Sequence, residues 1–160
     1  HNRVNLPECD CMAKILIVYD SKTGHTEKMA LAVAEGAKQV DGVDVNVKKV
    51  HQTALEDLRS ADGIILGSPT YYGQMSAKIK KLIDTSVKIH GELEGKVGAA
   101  FGSYGWSGEA PKLVLEVMKN KFEMQVVDAP LLAKYVPDQN VLDQCRNLGK
   151  HVSGNLIHAV

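Results

Sequence analysis

From Lys14 onward the chain alternates short apolar runs with longer segments of helical spacing. KILIVY, residues 14–19, is almost continuously apolar, the pattern of a strand buried on both faces. Met29, Val33, Ala37 and Val40 then recur at intervals of four, four and three, which predicts one face of a helix. In GVDVNVKKV, Val43, Val45 and Val47 alternate with polar residues, as in a strand with one face toward solvent. ALEDLRSA predicts a short helix and DGIILGS a second buried strand. SAKIKKLIDTSV sets Ile79, Leu82, Ile83 and Val87 on one helical face, and KVGAAFGS reads as a fourth strand. GEAPKLVLEVMKNKF is a helix with Pro111 in its first turn, where no N–H is needed. EMQVV is a fifth strand; LLAKYV is extended, and the pattern leaves open whether it continues that strand. Asp138 is placed to cap a last helix whose stripe is Val141, Cys145, Leu148 and Val152.

Strands separated by helices imply an open parallel sheet covered on both faces, with right-handed crossovers. The 160 residues suit one domain, taken as residues 12–160. The first eleven, HNRVNLPECDC, follow neither rhythm and read as a leader or linker, poorly ordered or foreign to the native chain, with Met12 as a natural start. Their Cys9 and Cys11 are not completed to a metal site by a second Cys or His cluster. Ligands of doubly wound sheets bind beyond the carboxyl ends of the strands, where strand order reverses. That singles out the loops after the first, third and fourth strands.

All three loops have unusual composition. DSKTGHT joins a strand to a helix, where free N–H groups and the hydroxyls of Ser21, Thr23 and Thr26 suit an anion such as phosphate. Gly24 permits close approach or positive φ there. The loop is neither a Walker A motif nor G-x-G-x-x-G. Read more plainly, it is a polar turn with Thr26 as helix cap and Lys22 in solvent. GSPTYYGQMS follows the third strand and GSYGWSGEA the fourth. Together these two hold Tyr71, Tyr72, Tyr104 and Trp106, four of the eight aromatic residues of the chain. Core packing does not ask for aromatics there, whereas a planar ligand with a phosphate accounts for all three loops.

Charge narrows the field. Nineteen Lys and Arg offset nineteen Asp and Glu, with no polybasic run, so neither nucleic acid nor an anionic membrane is suggested. Three cysteines do not make a disulfide framework and suit a reducing cytoplasm. Cys145, on a helical stripe, reads as a buried structural thiol. Asp62 begins the third strand rather than ending it, which weighs against a phosphoryl receiver. His51, His90, His151 and His158 show no metal spacing; Asp84 and Glu109 read as surface or capping residues.

On these motifs residues 13–152 resemble the flavodoxin family, which binds flavin mononucleotide (FMN). SKTGHT resembles its phosphate loop S/T-x-T-G-N-T, with His25 in place of Asn. The resemblance implies an α/β flavodoxin-like doubly wound sheet of five parallel strands, order 2-1-3-4-5, with helices on both faces. It implies cofactor contacts from Ser21, Lys22, Thr23, Gly24, His25 and Thr26, from Ser68, Pro69, Thr70, Tyr71, Tyr72 and Gly73, and from Ser103, Tyr104, Gly105, Trp106 and Gly108. Trp106 is expected on one ring face and Tyr71 or Tyr72 on the other; spacing does not choose between them. A carbonyl near Tyr72–Gly73 is expected to accept the N5 proton after one-electron reduction, stabilising the neutral semiquinone. No metal ligands or catalytic residues are implied.

The expected function is electron transfer through the FMN semiquinone and hydroquinone, between redox protein partners that include diiron or iron–sulfur proteins. The expected state is a cytoplasmic monomer or small homo-oligomer, a carrier more than an enzyme. One alternative is an FMN-dependent NAD(P)H:quinone oxidoreductase, though such relatives usually carry an insertion not visible here. Another is a stand-alone flavodoxin module of a flavodiiron system, since FGSYGWSGEA and YVPD are similar to that module; diiron chemistry itself is not implied. Typical electron-carrying flavodoxins are acidic. With evenly spread charge, a neutral chain predicts a less extreme low potential and weak salt dependence of electron transfer.

Overall fold

The computed structural model describes residues 12–158, so the expectations for the leader with Cys9 and Cys11 lie outside the described residues. The first half runs β1 (Ala13–Tyr19), α1 (His25–Ala37), β2 (Val43–Lys49), α2 (Leu55–Ser60), β3 (Gly63–Gly67), β4 (Thr70–Tyr71), β5 (Gln74–Met75) and α3 (Ala77–Ser86). It continues with α4 (His90–Leu93), β6 (Val97–Tyr104), α5 (Glu109–Asn120), β7 (Gln125–Val126), β8 (Leu131–Lys134) and α6 (Gln139–His158). Strands line up as β2-β1-β3-β6, all parallel, with β7 and β8 sharing the position beyond β6. This is the expected 2-1-3-4-5 order, with the fifth position split. β7 pairs with the start of β6 (Val97 opposite Gln125) and β8 with its end (Phe101 opposite Leu131). Between them Asp128 adopts φ 66°, and Pro130 has no N–H to donate to a ladder, so LLAKYV returns to β6 only after the break.

Alternation along β1 assigns the two faces. Ile15, Ile17 and Tyr19 pack with Met29, Val33, Phe101, Cys145 and Val152 beneath α1 and α6. Leu16 and Val18 pack with Ile64, Leu66, Ile79, Val114 and Met118 on the other face. Residues of period two thus feed two cores from one strand. The expected stripes hold with end corrections. Val40 lies past the end of α1, its N–H on the carbonyl of Ala37, and Val87 falls in the single 3₁₀ turn after α3. Asp138 caps α6 as expected, its Oδ1 accepting from Val141 N at 2.9 Å. Cys145 is fully buried, and burial pushes its thiol up to about 12.

α1 and α6 approach closely because each offers a glycine to the other. A methyl at Gly36 would collide with the backbone oxygen of Arg146, and one at Gly149 with that of Val33. Backbone cannot yield as a side chain can. Gly149→Ala is therefore expected to lower stability by ~1–3 kcal/mol or more in urea unfolding, despite the higher helix propensity of alanine. Equal or higher stability would show that the helices can separate freely.

Candidate functional site

β1 lies between β2 and β3, so the chain leaves it in one direction and returns in the other. The loops after β1, β3 and β6 meet at that reversal. In the first, Gly24 adopts φ 94° at the start of α1, and a Cβ there would meet nothing within 4 Å. Glycine is needed for conformation, not for room. Ser21 Oγ accepts from Gly24 N at 3.1 Å and Glu27 N at 3.3 Å, so Ser21 serves the helix end rather than Thr26. Thr26 is buried, its hydroxyl 2.8 Å from that of Ser103 at the end of β6. The N–H groups of His25 and Thr26, in the first helical turn, have no intrahelical acceptor by geometry. Below this turn Tyr19 Oη donates to Glu27 Oε2 at 2.7 Å, and burial with the Glu27 carboxylate pushes the phenol up to about 12.

The second loop forms a small hairpin, β4 with β5, that periodicity does not reveal. Its two turn residues, Tyr72 and Gly73, both take positive φ (52° and 75°), as a two-residue hairpin loop with the twist of the strands demands. Tyrosine in this region is strained, and its side chain is fully exposed. Ser68 is buried at the hairpin base: its hydroxyl donates to Pro69 O at 2.8 Å and accepts from Ser76 N at 2.9 Å. The ammonium of Lys22 lies 5.0 Å from the centre of the half-buried Tyr71 ring, a cation–π contact joining first loop to second. Burial, and then the charge of Asp20, raise the Tyr71 phenol above its ordinary value.

The third loop runs from Tyr104 to Gly108. Thr70 Oγ1 accepts from Ala110 N at 2.9 Å, tying it to the hairpin. Tyr135 N donates to Tyr104 O at 2.7 Å, and the Tyr135 ring lies against Gly105. Trp106 is 96% exposed. Glu109 reaches beside Gly73, and a hydrogen bond from Ser107 holds its carboxyl below the usual range. Residues 70–73 and 105–107 enclose a cleft of about 740 Å³.

The sequence-predicted residues thus separate into groups. Thr70, Tyr71, Tyr72, Gly73, Gly105 and Trp106 line the cleft. Ser21, Lys22, Thr23, Gly24 and His25 form the adjoining helix end. Thr26, Ser68, Pro69 and Ser103 are buried within the loop frames, while Tyr104 and Gly108 support the third loop. Sequence reading missed Ser107 on the cleft wall, Glu109 beside Gly73, and Tyr135. Tyr135 opens the YVPD segment that carries part of the resemblance, but its place beside the third loop follows only from β8 pairing with β6. Among the described residues no group of three or more His, Cys, Asp or Glu could hold a metal ion.

The flavodoxin family model matches residues 17–149, and the chain belongs to that family. It is 44% identical over 99 residues to a flavodoxin of Aquifex aeolicus, covering 61% of this chain and 54% of that protein. It is 36% identical over 146 residues to type A flavoprotein FprA of Rhodobacter capsulatus, covering 89% of this chain and 33% of the relative. The chain therefore spans about half and a third of these curated relatives. A flavodoxin from the domain Archaea superposes with TM-score 0.84 and 37% identity, covering 91% of this chain and 99% of that one. Members of the family bind FMN, and the donor set here fits that group: an open helix end with hydroxyls for a phosphate, and a cleft between aromatic side chains for a planar ring.

The Tyr19–Glu27 bond ties the end of β1 to the first turn of α1 and has a pH signature. The phenol is raised in the folded state, so its stabilisation is complete below the unfolded value near 10 and is lost as pH rises toward about 12. Tyr19→Phe is expected to remove that part of the alkaline loss of stability, seen as a flatter unfolding midpoint against pH. An unchanged slope would mean that the hydrogen bond carries no linkage.

Proposed function

We propose that this chain is an FMN-binding electron carrier, passing electrons between redox protein partners, diiron or iron–sulfur proteins among them, in the cytoplasm. The observation that carries the reading is the meeting of an open helix end with an aromatic-walled cleft where strand order reverses. No helix among the described residues is long and apolar enough to cross a membrane. FMN, when bound, supplies reversible uptake of one or two electrons.

The chain's own groups hold and orient it. N–H groups of His25 and Thr26 and the Thr23 hydroxyl receive the phosphate. Ser21 Oγ already accepts two N–H bonds, which leaves its own hydrogen to donate. Trp106 covers one ring face and a hairpin tyrosine the other. Thr26, Ser68 and Ser103 act from inside by holding the loops. Gly73 leaves the Tyr72–Gly73 peptide free to reverse, so that its carbonyl would be available as a hydrogen-bond acceptor at the edge of the bound ring.

Trp106 is the sole tryptophan, so its fluorescence reports the cleft directly. FMN is expected to quench it on titration, and Trp106→Ala to weaken FMN binding by about tenfold or more. Unquenched fluorescence with FMN bound would remove Trp106 from the ring face. Gly73→Val places a β-branched residue at φ 75° and is expected to shift the one-electron potentials of bound FMN. Unchanged potentials would overturn the peptide's role.

An anaerobic titration tests the carrier reading. Dithionite is expected to bleach the visible flavin band in two stages, and stoichiometric NADH or NADPH to leave it intact. Direct bleaching by NAD(P)H would instead make the protein a reductase, with quinones as the first acceptors to try.

A further inference from the structure

The even balance of charge over the whole chain conceals an uneven distribution around the cleft. α3, which leaves the hairpin directly, carries three lysines. Lys80 is neutralised by Asp84 at 3.2 Å. Lys78 and Lys81 have no ion-pair partner among the described residues. With Leu82 and Thr85 they form one helical face, turned toward the 3₁₀ turn Val50–Gln52 at the end of β2. The two elements bound a groove of about 500 Å³, with Val50, Leu55 and Leu82 at its apolar base and His51, Lys78 and Lys81 on its rim. Exposed Lys49 lies opposite Tyr19 in the sheet, next to the first loop, and Lys22 sits over Tyr71. The positive groups thus run from the groove to the cleft.

The acids at this end of the sheet are mostly engaged. Glu27 accepts from Tyr19 and Glu109 from Ser107, Glu56 and Asp57 beside the groove pair with Arg59 and Lys48, and Asp138 caps α6, leaving Asp20. On the opposite side of the cleft the rim is mostly apolar: Leu132, Tyr135 and Val136 are exposed beside the third loop, with the single ammonium of Lys134 5.6 Å from the centre of the Tyr135 ring. A basic groove on one flank and an apolar shoulder on the other suit a folded protein partner better than a nucleic acid, which would ask for cations along its whole track.

We propose that the groove between Val50–Gln52 and α3 is the docking site for the carboxylate-bearing face of an acidic electron-transfer protein, seated so that its redox centre meets the cleft. The proposal rests on the carrier reading for its purpose, and on charge complementarity for its partner. Weak salt dependence, expected for evenly spread charge, gives way to dependence on the partner's sign. Attraction across a solvent-exposed interface is screened beyond about 8–10 Å at ordinary ionic strength, so it is steepest in dilute buffer.

Two haem proteins of opposite charge serve as probes: acidic cytochrome b5 and basic cytochrome c. The FMN-loaded, dithionite-reduced chain is mixed with each across a range of salt. Calorimetry follows cytochrome b5 binding to the same chain without electron transfer. We expect transfer to cytochrome b5 to fall with added salt. Lys78→Glu with Lys81→Glu should slow it by about fivefold or more and weaken b5 binding in parallel, leaving the rate with cytochrome c equal or faster. Equal slowing of both cytochromes, or a b5 rate and affinity indifferent to the double variant, would overturn the proposal. Loss of b5 binding in the variant while the parent transfers no electrons would retain the docking site and reject the carrier reading. Displacement of b5 by a duplex oligonucleotide or by phosphatidylserine vesicles, at concentrations where b5 itself binds, would assign the groove to that ligand instead.

Discussion

The buried hydroxyl pair of Thr26 and Ser103 joins the two ends of the site. Thr26 stands in the first turn of α1 and Ser103 one residue from the end of β6, and their oxygens meet at 2.8 Å in a place closed to water. A hydrogen bond of this kind is worth only ~1 kcal/mol net, but leaving one of its members unpaired in the interior costs about 1–3 kcal/mol. The asymmetry works as a registration device. The helix end that offers free N–H groups keeps its height relative to the strand that delivers Trp106 because neither hydroxyl has another partner of equal quality. Ser68 does the same for the hairpin, holding Pro69 and Ser76 from below. Three buried hydroxyls thus tie three loops of irregular backbone to one another, beside the backbone bonds from Asp20 N to Gly67 O and from Ser68 N to Phe101 O.

Most of the scaffold was legible because its signal is periodic. ILIVY and GIILG are uniformly apolar since helices cover both faces of their strands, and the stripes of α1, α3 and α6 repeat at helical spacing. What escaped was set by single residues or by contacts remote in sequence. Val40 fits the α1 stripe, yet the helix had already ended at Ala37. The β4–β5 hairpin is too short for alternation to show. The fifth strand position breaks at Pro130, and only its pairing with β6 shows that LLAKYV resumes the same place in the sheet.

The site was legible as three loops but not as individual roles. Hydroxyl-rich composition pointed to Ser21 and Thr26, and the family resemblance to Ser68 and Ser103, while burial separates the hydroxyl at the helix end from those that brace the loops from inside. Tyr72 illustrates the converse. Nothing in its sequence neighbourhood marks it as strained, but the two-residue turn forces φ 52° on a residue that resists it. The strain persists because Thr70, Ser68 and Ser76 over-determine the hairpin around it. A turn held against its own preference has another conformation nearby in energy, and the glycine at its second position keeps that conformation accessible.

Burial of Cys145 has a consequence for durability. Thiolate, not thiol, reacts with peroxides and electrophiles, and a group pushed up to about 12 in a closed core supplies almost none at neutral pH. Flavins working near oxygen are sources of peroxide. The one cysteine of the described fold is therefore insulated twice, by access and by protonation, and sulfur oxidation is kept out of its core.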